Sequence, residues 1–336
     1  MDSTNAYREH TNKAVEGDAR FRYVMALALD PRDRRQGVIR CITSREGDVQ
    51  ISGYIDRSVL YKVQQVGPER FQITDPIEIE GLEDVIAEIN PDGFEFIGPE
   101  DPDLHVGTDG QLHLYFTLPL LDRVNGITHI NLGHAVGDSI ETLRATKPVL
   151  GIDSTGAGAK ELSIAPMRVD GSRLNLVESS APGKDFAYST VRTAYVANMD
   201  IDAVWEYDRT VFHPIEHNIS WIAGHASPGP FIPKSFIDPG EGKVVGFMNG
   251  REANRLLGED VVYGMFSVGL FVYDYERGVI DWVSSEPLIR DTEAKTITFA
   301  SQFVSDGGIL YAHVDDAFVR AYSIEAEAIR SLLYTL

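Results

Sequence analysis

Acidic residues recur in this chain at one place in a repeated pattern, just ahead of short alternating strands. Glu100-Asp101-Pro102-Asp103-Leu104-His105 leads to Asp109-Gly110 and then to the run from Gln111 to Thr117, where Leu112, Leu114 and Phe116 alternate with polar residues. Such alternation marks a strand with one buried face, and Asp-Gly is a favoured pair for a tight hairpin turn. A pair of carboxylates is thus mounted on a rigid sheet, where groups needed for acid–base chemistry are best held. Glu161 heads a second segment of this kind, which reaches Asp170-Gly171 and continues into Leu174-Asn175-Leu176-Val177. The two Asp-Gly turns lie 61 residues apart (170 − 109).

Two looser copies follow. Ser227 to Pro233 runs into Gly240-Glu241-Gly242 and then Val244 to Met248, and Phe299 to Val304 meets Asp306-Gly307 before Ile309 to His313. Each hairpin is followed by a further apolar strand and an outer segment, within 130–150, 190–212, 268–289 and 318–329. A repeat of about 60 to 70 residues holding about four short strands fits radial sheets around one axis. With a degenerate copy in residues 20–98, the expected fold is all-β, a five-bladed β-propeller. A β-sandwich of irregular hairpins is the competing architecture. Residues 19–336 are expected to form this single domain, with residues 1–18 a polar extension that is mobile or wraps around it. Helical spacing is expected only in Ile201 to Trp205 and in Glu325 to Leu336. The small residues Ser154 to Ala159 read as a loop between blades.

Composition narrows the function. A formal charge of −21 opposes phosphate backbones and anionic lipid, whereas a neutral small substrate meets no such penalty. Neither nucleic acid nor membrane is expected as a partner, and the oligomeric state is left open. Phe266, Phe271, Tyr273 and Tyr275 read as core packing or as a dimer contact. Cys41 is the sole cysteine, set in what reads as a buried strand, Val38 to Ile42. No internal disulfide can form. No Gly-x-Ser-x-Gly is present, and no Gly-x-Gly-x-x-Gly leads from a strand into a helix. His213, Glu216, His217 and His225 lie close together, but Pro214 argues against a helical metal motif. No metal or cofactor is expected. His225 reads instead as a ligand for sugar hydroxyls, with Trp221 stacking on a pyranose face. The first residues lack an apolar segment of signal type, and no stretch is long enough to span a bilayer, so a cytoplasmic location is the expectation.

Gly98-Pro99-Glu100-Asp101-Pro102, Lys160-Glu161 ahead of Ala165-Pro166 and the Asp170-Gly171 turn, Gly224 to Pro230, and Tyr311 with Asp315-Asp316 together resemble the five-bladed propeller glycosidases. The nearest resemblance is to glycoside hydrolase family 130, the β-mannoside phosphorylases and β-mannosidases, and more distantly to family 43. It covers roughly residues 85 to 322. Glu100-Asp101-Pro102 is similar to the family's Glu-Asp-Pro-Arg signature, but Asp103 stands where that signature has arginine. An acid there would repel phosphate. The resemblance implies a glycosidase that inverts configuration on a small oligosaccharide, a β-mannoside among the candidates, with Asp101 as general acid and Glu161 as candidate base. These roles could be exchanged. Glycoside hydrolysis needs such a pair, one protonated for the leaving oxygen and one ionised to activate water. Glu100, Asp103, Arg168, Trp221, His225, His313 and Asp315 are the expected substrate contacts. A non-catalytic carbohydrate-binding propeller is one alternative. Phosphorolysis is another, and it requires a cation at the site, for which Arg168, Arg192 and Arg251 are the candidates.

Overall fold

In a computed structural model of the chain, residues 6–183, 187–199 and 203–333 are described. The first strand, β1 (Tyr7–Val15), comes first in the chain and last in the fold. A four-stranded antiparallel unit follows, β2 (Tyr23–Leu29), β3 (Gln36–Glu46), β4 (Ile55–Gly67) and β5 (Arg70–Pro76), paired in chain order. After α1 (Leu82–Ile89) and the edge strand β6 (Phe94–Phe96) come β7 (Glu100–Val106), β8 (Leu112–Asp122), β9 (Ile127–Gly137) and β10 (Arg144–Ala145). The third unit is β11 (Ala159–Ser163), β12 (Arg173–Ala181), β13 (Tyr188–Val196) and β14 (Glu206–Phe212). The fourth holds β15 (His225–Ile232) and β16 (Lys243–Arg251), a small hairpin β17 (Arg255–Leu257) and β18 (Asp260–Val262), then β19 (Phe266–Asp274) and β20 (Val279–Val283). One parallel pairing, Ser189 with His225, joins the third unit to the fourth. The last unit is β21 (Thr298–Val304), β22 (Ile309–Val314) and β23 (Phe318–Ile324), and α2 (Ala326–Leu333) follows it.

The outer strand of the last unit is β1, which pairs with β23 from Tyr7 opposite Ile324 to Val15 opposite Val319. Residues 7–15, within the expected extension, are therefore part of the sheet. From Tyr7 to Val15 they complete a sheet whose other three strands lie at the opposite end of the chain. Segment 318–329 correspondingly supplies one strand and the start of a helix. α2 falls where helical spacing predicts it. The predicted helix at Ile201 to Trp205 lies partly outside the described residues, and Ala203 to Trp205 are not helical. α1 was not expected, although Leu82, Ile86 and Ile89 have helical spacing and pack on the core between the first two units.

Apolar faces of successive units pack on one another. Val38 and Leu60 meet Leu112 and Leu114 between the first and second units, and Tyr115 and Leu132 meet Val177 and Ala194 between the second and third. Leu176 and Phe212 meet Met248 and Phe271, Phe247 and Leu270 meet Leu310 and Tyr322, and Tyr311 and Val319 meet Val24 and Ile39. Each fully buried large side chain in these layers is worth roughly 1.5–3 kcal/mol. Phe271 and Tyr273 are core residues, fully buried. The first strands of the units touch in a circuit, β2 on β7, β7 on β11, β11 on β15, β15 on β21 and β21 back on β2. That circuit encloses the axis on which the candidate site lies.

Candidate active site

Each axial strand carries a β-bulge against its second strand. The register slips between Met25 and Leu27, Glu100 and Asp103, Lys160 and Ser163, Pro228 and Phe231, and Ala300 and Gln302. A bulge adds one residue to a strand and re-aims its side chain. In three of them that residue is non-glycine with left-handed φ: Ala26 at 51°, Asp101 at 47° and Glu161 at 52°. Such a backbone costs of order 1–3 kcal/mol and persists where the surroundings enforce it. The two acids expected to do chemistry thus occupy equivalent bulges of neighbouring units, while the first unit puts the small Ala26 there.

Asp101 and Glu161 both line an axial cavity of about 400 Å³, and both also line a smaller one of about 190 Å³. They form the partition between the two. On the larger side, Arg40 of β3 donates from Nη1 to Asp101 at 2.8 Å and from Nη2 to Glu100 at 2.5 Å, with its Nε on Ser58 Oγ at 2.8 Å. Lys160 Nζ lies 3.5 Å from Glu178, which is also 3.1 Å from His225 Nε2. Across the cavity, His313 Nε2 stands 3.6 Å from Asp316, and Arg45 pairs with both Asp316 at 2.9 Å and Asp56 at 2.7 Å. His313 also stacks on Phe299, with ring centroids 5.1 Å apart.

The electrostatics separate the acids. Burial pushes the Glu161 carboxyl well above the usual range, and the charge of Asp101 adds to this while Lys160 opposes it. Asp101 is held in its ion pair with Arg40. Burial also raises Glu100, to about 7, against the pull of Arg40 and with help from Asp101. Glu178 goes the other way. Burial works against its charge, but His225 and Lys160 outweigh burial and hold the carboxyl below its ordinary range. For Lys160, burial is outweighed by Glu178, Asp101 and Glu161, so its ammonium is retained. Burial lowers His225 and His313 despite their acidic neighbours.

The structure brings Asp101, Glu161, His225 and His313 to one cavity. Other expected contacts lie elsewhere. Asp103 lines the smaller cavity with His105, its carboxyl raised to about 7 by burial, so its charge does not face the larger space. Glu100 sits on Arg40 and off the cavity wall. Arg168 is spent on Ser172 Oγ at 3.0 Å in the distant turn of the β11–β12 hairpin, and Arg192 pairs with Asp153. Asp315 accepts backbone N–H groups of Lys295, Thr296 and Ile297, a loop-holding role, while its neighbour Asp316 reaches the cavity. His213 and His217 are also elsewhere, against the rings of Tyr188 and Phe212.

Trp221 is the clearest correction. It is 2% exposed, donates Nε1–H to the Ser284 carbonyl at 2.9 Å, and packs so tightly over Gly250 and Gly269 that a Cβ on either would fall within 2.4 Å of its ring. Its ring is packed inside the fourth unit and does not line the axial cavity. Trp221→Ala is expected to lower stability by about 3–5 kcal/mol and to leave the KM of any glycoside turnover by the folded protein unchanged, as denaturant titration and initial rates would check.

Arg40, Tyr54, Glu178 and Asp316 were missed. A partial signal existed for Glu178, which lies directly across from Lys160 in the β11–β12 pair. Arg40 gave none, because its strand precedes the acids it holds by a whole unit.

No family model matches the chain, and no curated protein does. Solved structures do. The β-1,2-mannobiose phosphorylase from Listeria innocua superposes with a TM-score of 0.65 at 11% identity, covering 99% of this chain and 100% of that one. The fold is that of the family 130 glycoside phosphorylases and hydrolases. A glycosyl hydrolase from Bacteroides ovatus matches with a TM-score of 0.65 at 14% identity, over 96% of this chain and 95% of that one. A family 130 structure, described with glycoside hydrolases that target β-1,2-mannosidic linkages in Candida mannan, matches with a TM-score of 0.61 at 16% identity, over 89% of this chain and 84% of that one. At these identities the likeness concerns the fold. This chain is mostly β, with the architecture of propeller glycosidases.

Proposed function

We propose that the chain is a five-bladed propeller that cleaves a glycosidic bond in a small saccharide with Asp101 and Glu161, by inversion and without phosphate. The circuit of five axial strands supports the blade count. The observation that carries the chemistry is the pair itself, two carboxylates on equivalent bulges at the partition of the axial cavity, in environments that set them apart. Pairs separated in this way divide into proton donor and ionised partner. Glu161, kept protonated by burial, donates to the leaving oxygen. Asp101, ion-paired with Arg40 at 2.8 Å, activates water. These are the roles carried over by resemblance, exchanged.

Phosphorolysis is the second reading, and Arg251 is what favours it. This arginine lines the same cavity with its guanidinium 3.8 Å from the centroid of the Tyr263 ring, and its Nε has no hydrogen-bond partner among the described residues. The deciding assay offers aryl glycosides and β-manno-oligosaccharides to the protein with and without phosphate. Phosphate-independent release of reducing sugar is expected. Formation of a sugar 1-phosphate that stops when phosphate is withheld would establish phosphorolysis, and no turnover of any glycoside would leave a binding propeller.

A further inference from the structure

Between β16 and β19 the fourth unit inserts a hairpin that the four-strand pattern does not need. Its tip projects into solvent, with Leu256 57% and Leu257 71% exposed and Gly258 at a φ of 65° making the turn. Its root is tied to the first unit. Ser52 N–H donates to the Val261 carbonyl at 3.0 Å and Tyr263 N–H to the Gln50 carbonyl at 2.8 Å, with Ile51 and Val262 opposed between them as an antiparallel bridge. In the circuit of axial strands the first unit adjoins the second and fifth, not the fourth. A bond between these non-neighbours passes over the end of the axial cavity. Asn254, Val261 and Tyr263 of the strap line that cavity, together with Arg251 at its root and with Ser52 and Tyr54 of the first unit.

The strap therefore bounds the space that holds Asp101 and Glu161. At about 400 Å³, that space is at the low end of the range for small-molecule sites, about 300–1,000 Å³. The tie is made by main-chain groups in a non-hydrogen-bonded antiparallel pair, so it resists substitution of the side chains around it. Resting on the glycosidase reading above, we propose that residues 251–263 are the specificity-determining wall of the site: they end it at a short saccharide and exclude longer chains. A wall of this kind discriminates by clash with the wrong ligand.

The test compares kcat/KM on β-manno-oligosaccharides of two to five sugars. Replacing residues 255–262 by two glycines is expected to raise the ratio for the tetraose over the biose by about tenfold or more. Tyr263→Ala, which thins the wall and leaves the backbone tie in place, moves the ratio in the same direction and serves if the shortened chain fails to fold. Ile51→Cys/Val262→Cys pins the strap, since the Cα atoms of such a pair lie about 4.5 Å apart, within disulfide reach; Cys41 is buried and does not compete. The pinned enzyme keeps the wild-type ratio whether oxidised or reduced. An unchanged ratio in a folded shortened variant or in Tyr263→Ala overturns the proposal. So does a pinned enzyme that loses activity until reduced, because the strap would then be a gate. Wild-type inactivity on every saccharide defeats the glycosidase reading itself, whereas an active wild type with a flat length profile in all variants defeats the strap alone.

Discussion

Glu161→Gln is expected to lower kcat on a disaccharide by about 10²–10⁴-fold, the usual contribution of a positioned general acid. The loss should be far smaller on an aryl glycoside whose phenolate leaves without a proton. That contrast identifies the donor, since misplacing the substrate would lower both rates equally. The pH profile gives an independent reading. A general acid must be protonated, so kcat/KM falls as pH rises through the raised value of Glu161, above the ordinary carboxylate range. In Glu161→Gln this alkaline limb disappears. Glu100 and Asp103, both near 7, also titrate close by. Glu100→Gln and Asp103→Asn should therefore each retain a limb of the same sense, and loss of the limb in either would move the donor role away from Glu161.

The same burial has a consequence for stability. A carboxyl whose value is raised on folding binds more protons in the native state, so stability falls as pH climbs from the unfolded value through the folded one. For Glu100 and Asp103 that window runs from their ordinary values to about 7. For Glu161 it begins at the ordinary glutamate range and extends upward. The uncharged Glu161→Gln protein should thus melt above the wild type at pH 8 and lose that advantage toward pH 4. Activity lost and stability gained in one variant is the signature of a site held against its own electrostatic preference.

The acids and their turns were legible because both are local. Asp109-Gly110, Asp170-Gly171 and Asp306-Gly307 are all at hairpin turns whose glycines have positive φ, a demand that Asp-Gly announces in any context. The first unit lacks both cues. Its β2–β3 hairpin turns through Asp30-Pro31-Arg32-Asp33-Arg34-Arg35, and its bulge holds Ala26 in place of an acid, so a regular four-stranded sheet passed for a degenerate one. The pairing of β1 with β23 joins residues more than 300 positions apart, which no local pattern encodes. Trp221 shows the limit of reading a site from residue type. An aromatic among histidines suits a sugar platform, yet burial depends on Gly250 and Gly269 of other strands clearing space for its ring. The ion-pair partners at the site, Arg40 for Asp101 and Glu178 for Lys160, come from second strands whose facing residues depend on register.

Asp101→Asn should cost about 10²–10⁴-fold in kcat/KM on every substrate, aryl glycosides included, because activation of water is needed whatever the leaving group. Asparagine is the appropriate replacement at this bulge. It keeps the volume and tolerates the left-handed φ of 47° that a branched side chain would resist. The variant also removes the charge that helps raise Glu161, so any residual activity should show its alkaline limb shifted toward acid. Asp101→Gly keeps the backbone conformation and opens space beside Arg40, where azide can enter and take the place of the lost carboxylate. Azide should restore turnover in that variant and leave Glu161→Gln unaffected on disaccharides. Asp101→Asn retaining more than about a tenth of wild-type activity would sink the two-carboxylate reading, since a positioned base contributes at least about 10²-fold. Azide rescue of Glu161→Gln on disaccharides but not of Asp101→Gly would return the base to Glu161, the assignment that the family resemblance carries.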